Sequence, residues 1–279
     1  MSTATQTQTP RITRDNGHVG PSVTALGPRS RDKISAVPFV RLIKVETRKQ
    51  VDTLAGRWFL VGIAAVTLTV FIIMLFNNGG DHTWMSYFGA SVTPLGVLLP
   101  VIGIMAATSE WAQRTAMTTF TLEPRRGRTI GAKIISSLLL GAALFLVGLV
   151  LSVLIHQVAI TTRGIDGDWT LTWWIIGGAA LATTIGMLQG TAFGLALLNT
   201  PAAIVAYFAL PTALTALNAL IPSWQTFFSW TDINQTLNPF FMGVAPSDKE
   251  WAQIAVSVGI WVVLPMAIGV WRVLRSEVK

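Results

Sequence analysis

Six apolar runs, at 58–76, 87–107, 134–155, 169–198, 202–220 and 251–274, leave this chain few ways to fold. Each is near the ~20 residues that cross a hydrocarbon core of about 30 Å as a helix. Inside lipid no water satisfies the backbone, so each run must close its own N–H to C=O bonds, and a helix does that. A transmembrane barrel would need short strands alternating in polarity, and the chain has no such alternation. Charge points the same way. Asp, Glu, Lys and Arg make up 12% of the 279 residues, about half the ~25% of a typical soluble domain. The expected fold is all-α: a polytopic membrane protein of six spans, with an amphipathic helix before the first and short interfacial helices before the last.

The segments between the runs divide clearly. Residues 1–36 are rich in Ser, Thr, Gln, Gly and Pro. They lack the apolar surface needed to order themselves and read as a disordered tail without a cleavable signal peptide. Residues 37–57 form an elbow. Within it Val40, Ile43, Val51 and Leu54 recur at helical spacing, while Arg41, Lys44, Arg48 and Asp52 fall on another side. Pro38 suits a first turn, and a basic amphipathic helix of this kind lies in the membrane interface. Pro94 and Pro100 are expected to bend the second span. The fourth run is long enough to tilt or to start with an interfacial turn. Asn199-Thr200-Pro201 reads as a tight turn into the fifth run, which Pro211 interrupts. Residues 221–250 are aromatic without being continuously apolar, and read as short helices at or dipping into the interface. Ser247 followed by Glu250 is a capping box that opens the sixth span, which contains Pro265.

Positive charge sets an orientation. Ten Lys and Arg lie in the segment through Arg57, five in the 108–133 loop and three at the C-terminal end from Arg272 onward, so 18 of 20 share one side. Arg163 and Lys249 are the two on the other side, and 8 to 2 remains when the N-terminal segment is left out. By the positive-inside rule both termini are expected in the cytoplasm of a bacterial cell, with the chain in its inner membrane. The net charge of +7 then reports basic cytoplasmic loops and contact with membrane lipids rather than nucleic acid. Nearly every tryptophan sits near a span boundary, as an aromatic belt does; Trp261 is the exception.

The span interiors hold no Asp, Glu, Lys or Arg, whereas ion-coupled carriers and proton relays usually keep such groups. The chain has no cysteine, so disulfides, thiol catalysis and thiolate-bound metal are excluded. It has no HExxH, no hydrolytic constellation and no P-loop; catalytic and metal-ligating residues are expected to be absent, and ATP would have to be bound by another polypeptide. His156, at the edge of the third run, is either an interfacial hydrogen-bonding residue or a ligand or relay. Gly178, Ala182, Gly186, Gly190 and Gly194, each four residues apart, form a small-residue ridge for a close helix contact, within the bundle or between subunits. Thr183, Thr184 and Gln189 either line a polar path or bond to neighbouring helices.

The loop 108–133 is the most informative segment. Thr108 or Ser109 can cap a short helix with Glu110 in its first turn. That helix ends near Pro124, an Arg125-Arg126-Gly127-Arg128 turn follows, and Lys133 opens the third span. The loop is either a projecting docking element or a solvated stretch whose charges fix topology.

In the order of these features the chain resembles the type-2 ABC transporter permeases, the small bacterial ones above all. Glu110, Thr115, Pro124-Arg125-Arg126 and Lys133 match that family's first intracellular loop. Leu42-Ile43-Lys44-Val45-Glu46 with Arg48-Lys49 is similar to its elbow helix. The likeness covers about residues 38–279. It implies a permease subunit of an ATP-driven exporter, paired with a second permease in a homo- or heterodimer and with two copies of a separate P-loop ATPase that bind ATP and Mg. The cargo implied is a drug, a lipid or another hydrophobic compound. The coupling residues implied are Glu110, Arg114, Thr115, Pro124, Arg125 and Arg126 in the loop, and Arg41, Lys44 and Arg48 in the elbow. A stand-alone facilitator for a neutral solute and a membrane anchor for a partner are the other readings.

Overall fold

The structure, a computed structural model, describes residues 37–77, 80–170 and 172–275; the expected disordered tail at 1–36 lies outside them. The described residues contain no strand. A helix α1 (Phe39–Asp52) is followed by α2 (Leu54–Phe76), α3 (Trp84–Ala112), a short α4 (Ala116–Leu122), α5 (Arg126–Arg163), α6 (Trp173–Leu197) and α7 (Thr200–Leu220). A 3-10 turn at Pro222–Trp224 leads into α8 (Gln225–Thr231), α9 (Ile233–Thr236) and α10 (Asn238–Met242). The last stretch is α11 (Asp248–Val258), a π-helical turn at Gly259–Val263 and α12 (Leu264–Arg275). α2, α3, α5, α6, α7 and the Asp248–Arg275 stretch are each long and apolar enough to cross a membrane. The chain is therefore an all-α polytopic membrane protein with six membrane-spanning helices. Successive spans alternate in direction. One end of the bundle, called the basic end below, carries the 108–133 loop and α1; the far end carries α8, α9 and α10.

Several boundaries differ from the apolar runs. α5 starts eight residues before its run and continues to Arg163, since nothing in 126–163 breaks a helix. It stops at Gly164, whose φ of 62° supplies a left-handed cap. α6 starts at Trp173 rather than Trp169, and ends where Leu198 turns left-handed at φ 52°. Both Pro94 and Pro100 are accommodated inside a single continuous α3. The capping box stands as read: the Ser247 side chain accepts from the Glu250 N–H while Glu250 accepts from the Ser247 N–H at 2.7 Å.

The core is built on α3 and α6. The small-residue ridge makes that contact possible. A Cβ on Gly190 would stand 2.2 Å from the Pro100 carbonyl oxygen, which no real side chain tolerates. Gly186 and Gly194 meet Pro100 and the Ile104–Ala107 turn of α3, and Gly178 meets the Phe240 backbone of α10. Ala182 is buried against Ile185, Ile233, Phe240, Ile254 and Val262. The ridge thus faces other helices of its own chain. Thr183 and Thr184 donate to the Ala179 and Ala180 carbonyls of their own helix rather than to a neighbouring one.

Two polar aromatic residues toward the far end differ in how they are held. The Trp261 indole donates to the Thr231 carbonyl at 2.7 Å and its ring stacks with Phe193, which explains a tryptophan so far from a span boundary. His156 is fully buried, with both ring nitrogens unpartnered, edge-on to Trp169 at 4.6 Å and tilted against Tyr87. It is not the interfacial hydrogen-bonding residue expected, because α5 runs seven residues beyond it and carries it inside the helix.

Candidate functional site at the basic end

The loop helix is placed differently from the expectation. Nothing between Pro100 and Ala112 stops a helix, so α3 continues through Glu110 and ends at Ala112. Thr108 and Ser109 are inside that helix and donate to the Ile104 and Ala106 carbonyls instead of capping a new one. The break comes at Arg114, a non-glycine residue with φ 57°. A separate seven-residue helix, α4, follows. The Thr115 N–H donates to the Glu110 carbonyl at 2.9 Å, bridging the break.

Glu110 consequently points inward. Its side chain is 2% exposed and accepts from Lys133 of α5 at 2.6 Å and from Lys49 of α1 at 3.2 Å. Lys133, 3% exposed, also donates to Glu46 of α1 at 2.8 Å, and Lys49 donates to the other Glu46 oxygen at 2.6 Å. The Ala106 carbonyl at 3.1 Å and the Ser109 hydroxyl at 3.3 Å complete the shell around Lys133. Four charged side chains from three helices form one neutral cluster. Such burial is tolerable only because every charge meets an opposite one and the remaining hydrogen-bonding positions are filled. Burial lowers the Lys49 pKa, yet the bonds and charges of Glu46 and Glu110 outweigh it and hold the ammonium above its ordinary 10.5.

The cluster fixes α1 to the bundle. Gln50 extends the contact, its amide donating to the Ser136 and Ser137 hydroxyls of α5 at 2.8 and 3.3 Å. Of α1 only Glu46 is buried, with Phe39, Ile43 and Gln50 half-buried on the same side. Val40, Val51 and Leu54 of the apolar stripe seen in the sequence face outward. Arg41, Lys44 and Arg48 are exposed, with Arg48 donating to Asp52 at 2.7 Å.

The loop side chains divide into two sets. Arg126 turns inward: it donates to the Val273 carbonyl of α12 at 2.8 Å, and its guanidinium lies 4.8 Å from the Phe120 ring centroid. Phe120 packs edge-on against Trp111, so α4 is held from both flanks. Arg128 pairs with Glu123 at 3.3 Å and donates to the Val37 carbonyl. Arg114, Thr115, Pro124 and Arg125 are exposed, as are Met117 (54%) and Leu122 (77%) on α4.

The sequence marks the loop but not the inner cluster: Glu110, expected in the first turn of a new helix, lies near the end of α3, and Glu46 and Lys49 stand in the sequence only as part of the elbow. The available signal was Glu46 itself: an acidic residue on a helical stripe that also holds Phe39 and Ile43 calls for a buried cation. Among the described residues no cluster of His, Asp and Glu is placed to hold a metal ion. What the arrangement offers is mechanical: α1 cannot move relative to α3 and α5 without carrying or breaking the Lys133 pairs. The chain matches no protein-family model, no curated protein and no solved structure.

Proposed function

We propose that the chain is the permease subunit of an ATP-driven exporter of the type-2 ABC class, in a bacterial inner membrane, with its basic end and both termini in the cytoplasm. One observation carries this reading. α4 presents Met117 and Leu122 to the outside at the end where positive charge, rather than lipid, dominates. An exposed short helix with apolar side chains on it, outside the hydrocarbon region, suits a protein contact. The contact would be transmitted inward, because α4 is pinned by Phe120 and Arg126 and neighbours the Glu110–Lys133 cluster. The partner proposed is a separate P-loop ATPase in two copies, which would bind ATP and Mg; Arg114, Thr115, Pro124 and Arg125 stand on the proposed docking face. Glu110 and Arg126 act one layer further in, holding that face to the spans. A second permease would complete the path for a drug, lipid or other hydrophobic cargo.

Co-expression with the P-loop ATPase encoded beside this chain tests the reading. The expected result is a co-purifying complex that the double substitution Met117→Asp and Leu122→Asp dissolves while the membrane subunit stays monodisperse. Recovery of the wild-type chain with no P-loop protein bound would overturn it.

A further inference from the structure

A cavity of about 690 Å³ lies between α1, the first turns of α2, the basic end of α3 and α4. Sites for drug-sized ligands occupy roughly 300–1,000 Å³. Its wall is apolar, with Leu42, Val45, Phe59, Leu60, Ile102 and Met105. Glu46, Lys49, Glu110 and Glu123 are its charged lining; Lys133 pairs with Glu46 and Glu110 and Arg128 pairs with Glu123, so these charges are already answered within the chain. Thr129 lines the same cavity and is 3% exposed, yet its hydroxyl has no hydrogen-bond partner; the Gln50 carbonyl oxygen is likewise buried and unpartnered.

The rim differs from the interior. Val45 is 45% exposed. Arg41 and Arg48, both exposed, lie four residues before and three after it, and residues so spaced share one helical face. Lys49, on the same face, reaches the cavity and keeps part of its side chain in the open. An apolar chamber with a cationic rim, beside spans that cross a membrane, matches one occupant in shape and charge: an amphiphile with an anionic head. We infer that the cavity holds an acyl chain of an anionic phospholipid from the leaflet at the basic end. Arg41 and Arg48 face its phosphate, Arg48 keeping its bond to Asp52 at 2.7 Å.

Reconstitution of the full chain into nanodiscs of equal phosphatidylglycerol and phosphatidylcholine, followed by detergent extraction and native mass spectrometry, tests this. The expected result is one phosphatidylglycerol retained per chain in preference to phosphatidylcholine. Met105→Trp, which fills the chamber, lowers retention by about tenfold or more. Ile72→Trp, on the outward side of α2, does not. The double substitution Arg41→Gln and Arg48→Gln removes the headgroup preference. Should Met105→Trp fail to fold, Ala112→Trp at the edge of the same cavity replaces it. Equal retention in the cavity-filling variant and in Ile72→Trp, or no headgroup preference in the wild type, would overturn the assignment. No ATPase enters the experiment, so its outcome is independent of the permease reading.

Discussion

α6 and α7 are consecutive spans of nearly equal mean hydropathy, 1.4 and 1.6, the two lowest of the six. Their surroundings are opposite: 61% of the central window of α6 is buried within the chain, against 11% for α7. In α6 the low value comes from glycines and threonines that the chain itself explains, because α3 approaches at Pro100 and the hydroxyls bond back to their own helix. In α7 Thr212, Ala213, Ala216 and Ala219 are exposed, and no contact described within the chain requires them to be small or polar. A modest hydropathy thus has two different causes. One is packing inside the chain. The other, on an outward face, suits a close-packed helix of a second subunit better than lipid tails.

The division between groups answered within the chain and groups that face outward can be broken in four places. The largest effect is expected at Lys133. Lys133→Met leaves Glu46 and Glu110 sharing only Lys49, and removing one member of a buried charged set costs about 3–5 kcal/mol. Adding Glu110→Gln should restore much of it; thermal unfolding in detergent reads both, and an unchanged midpoint in the single variant would refute the buried cluster. Gly190→Ala comes next, since its Cβ meets a backbone oxygen that cannot rotate away; overpacking of this kind costs about 1–3 kcal/mol. Ala216→Leu on α7 should stay within about 0.5 kcal/mol, and equal losses in the two would erase the contrast. A smaller, all-or-none test uses the absence of native cysteine. Ala216→Cys should cross-link two chains on oxidation in native membranes, whereas Leu139→Cys, on the outward side of α5, should not. The smallest effect belongs to Lys49. Its raised pKa means that its contribution is complete below pH 10.5 and is lost as pH rises through the higher folded value. Being half-exposed, it contributes under about 1 kcal/mol. Wild type and Lys49→Met should differ by a constant amount through the neutral range and converge only at strongly alkaline pH.

The six spans were legible because lipid leaves the backbone one solution, and that constraint is written in every apolar run. Span ends were not, because a helix does not stop where hydrocarbon stops: Arg126–Thr129 and Thr108–Ala112 are polar yet helical. Ser247 and Glu250 were legible because both partners of the box lie within one turn. Glu110 was misplaced for the opposite reason. Its partners, Lys133 and Lys49, lie 23 and 61 residues away, and local capping rules cannot see them. The helix α1 is legible from its spacing, and Val40, Val51 and Leu54 face outward, as an interfacial helix allows; its inward contacts through Glu46 and Gln50 are not legible, because their partners lie on α5.

The π-helical turn at Gly259–Val263 sits just ahead of Pro265, which has no N–H to donate into the preceding turn. It also separates two attachments. α11 packs on α8 and α9 at the far end, while α12 packs on α6 and α5 and receives Arg126 on its Val273 carbonyl. A helix with a wider turn in its middle is a torsion joint, because rotation of one half is absorbed by exchanging hydrogen-bond partners there. A pull on the Arg126 loop therefore reaches the lower half of the last span directly. The aromatic cap at the other end receives only what passes through five residues of altered pitch.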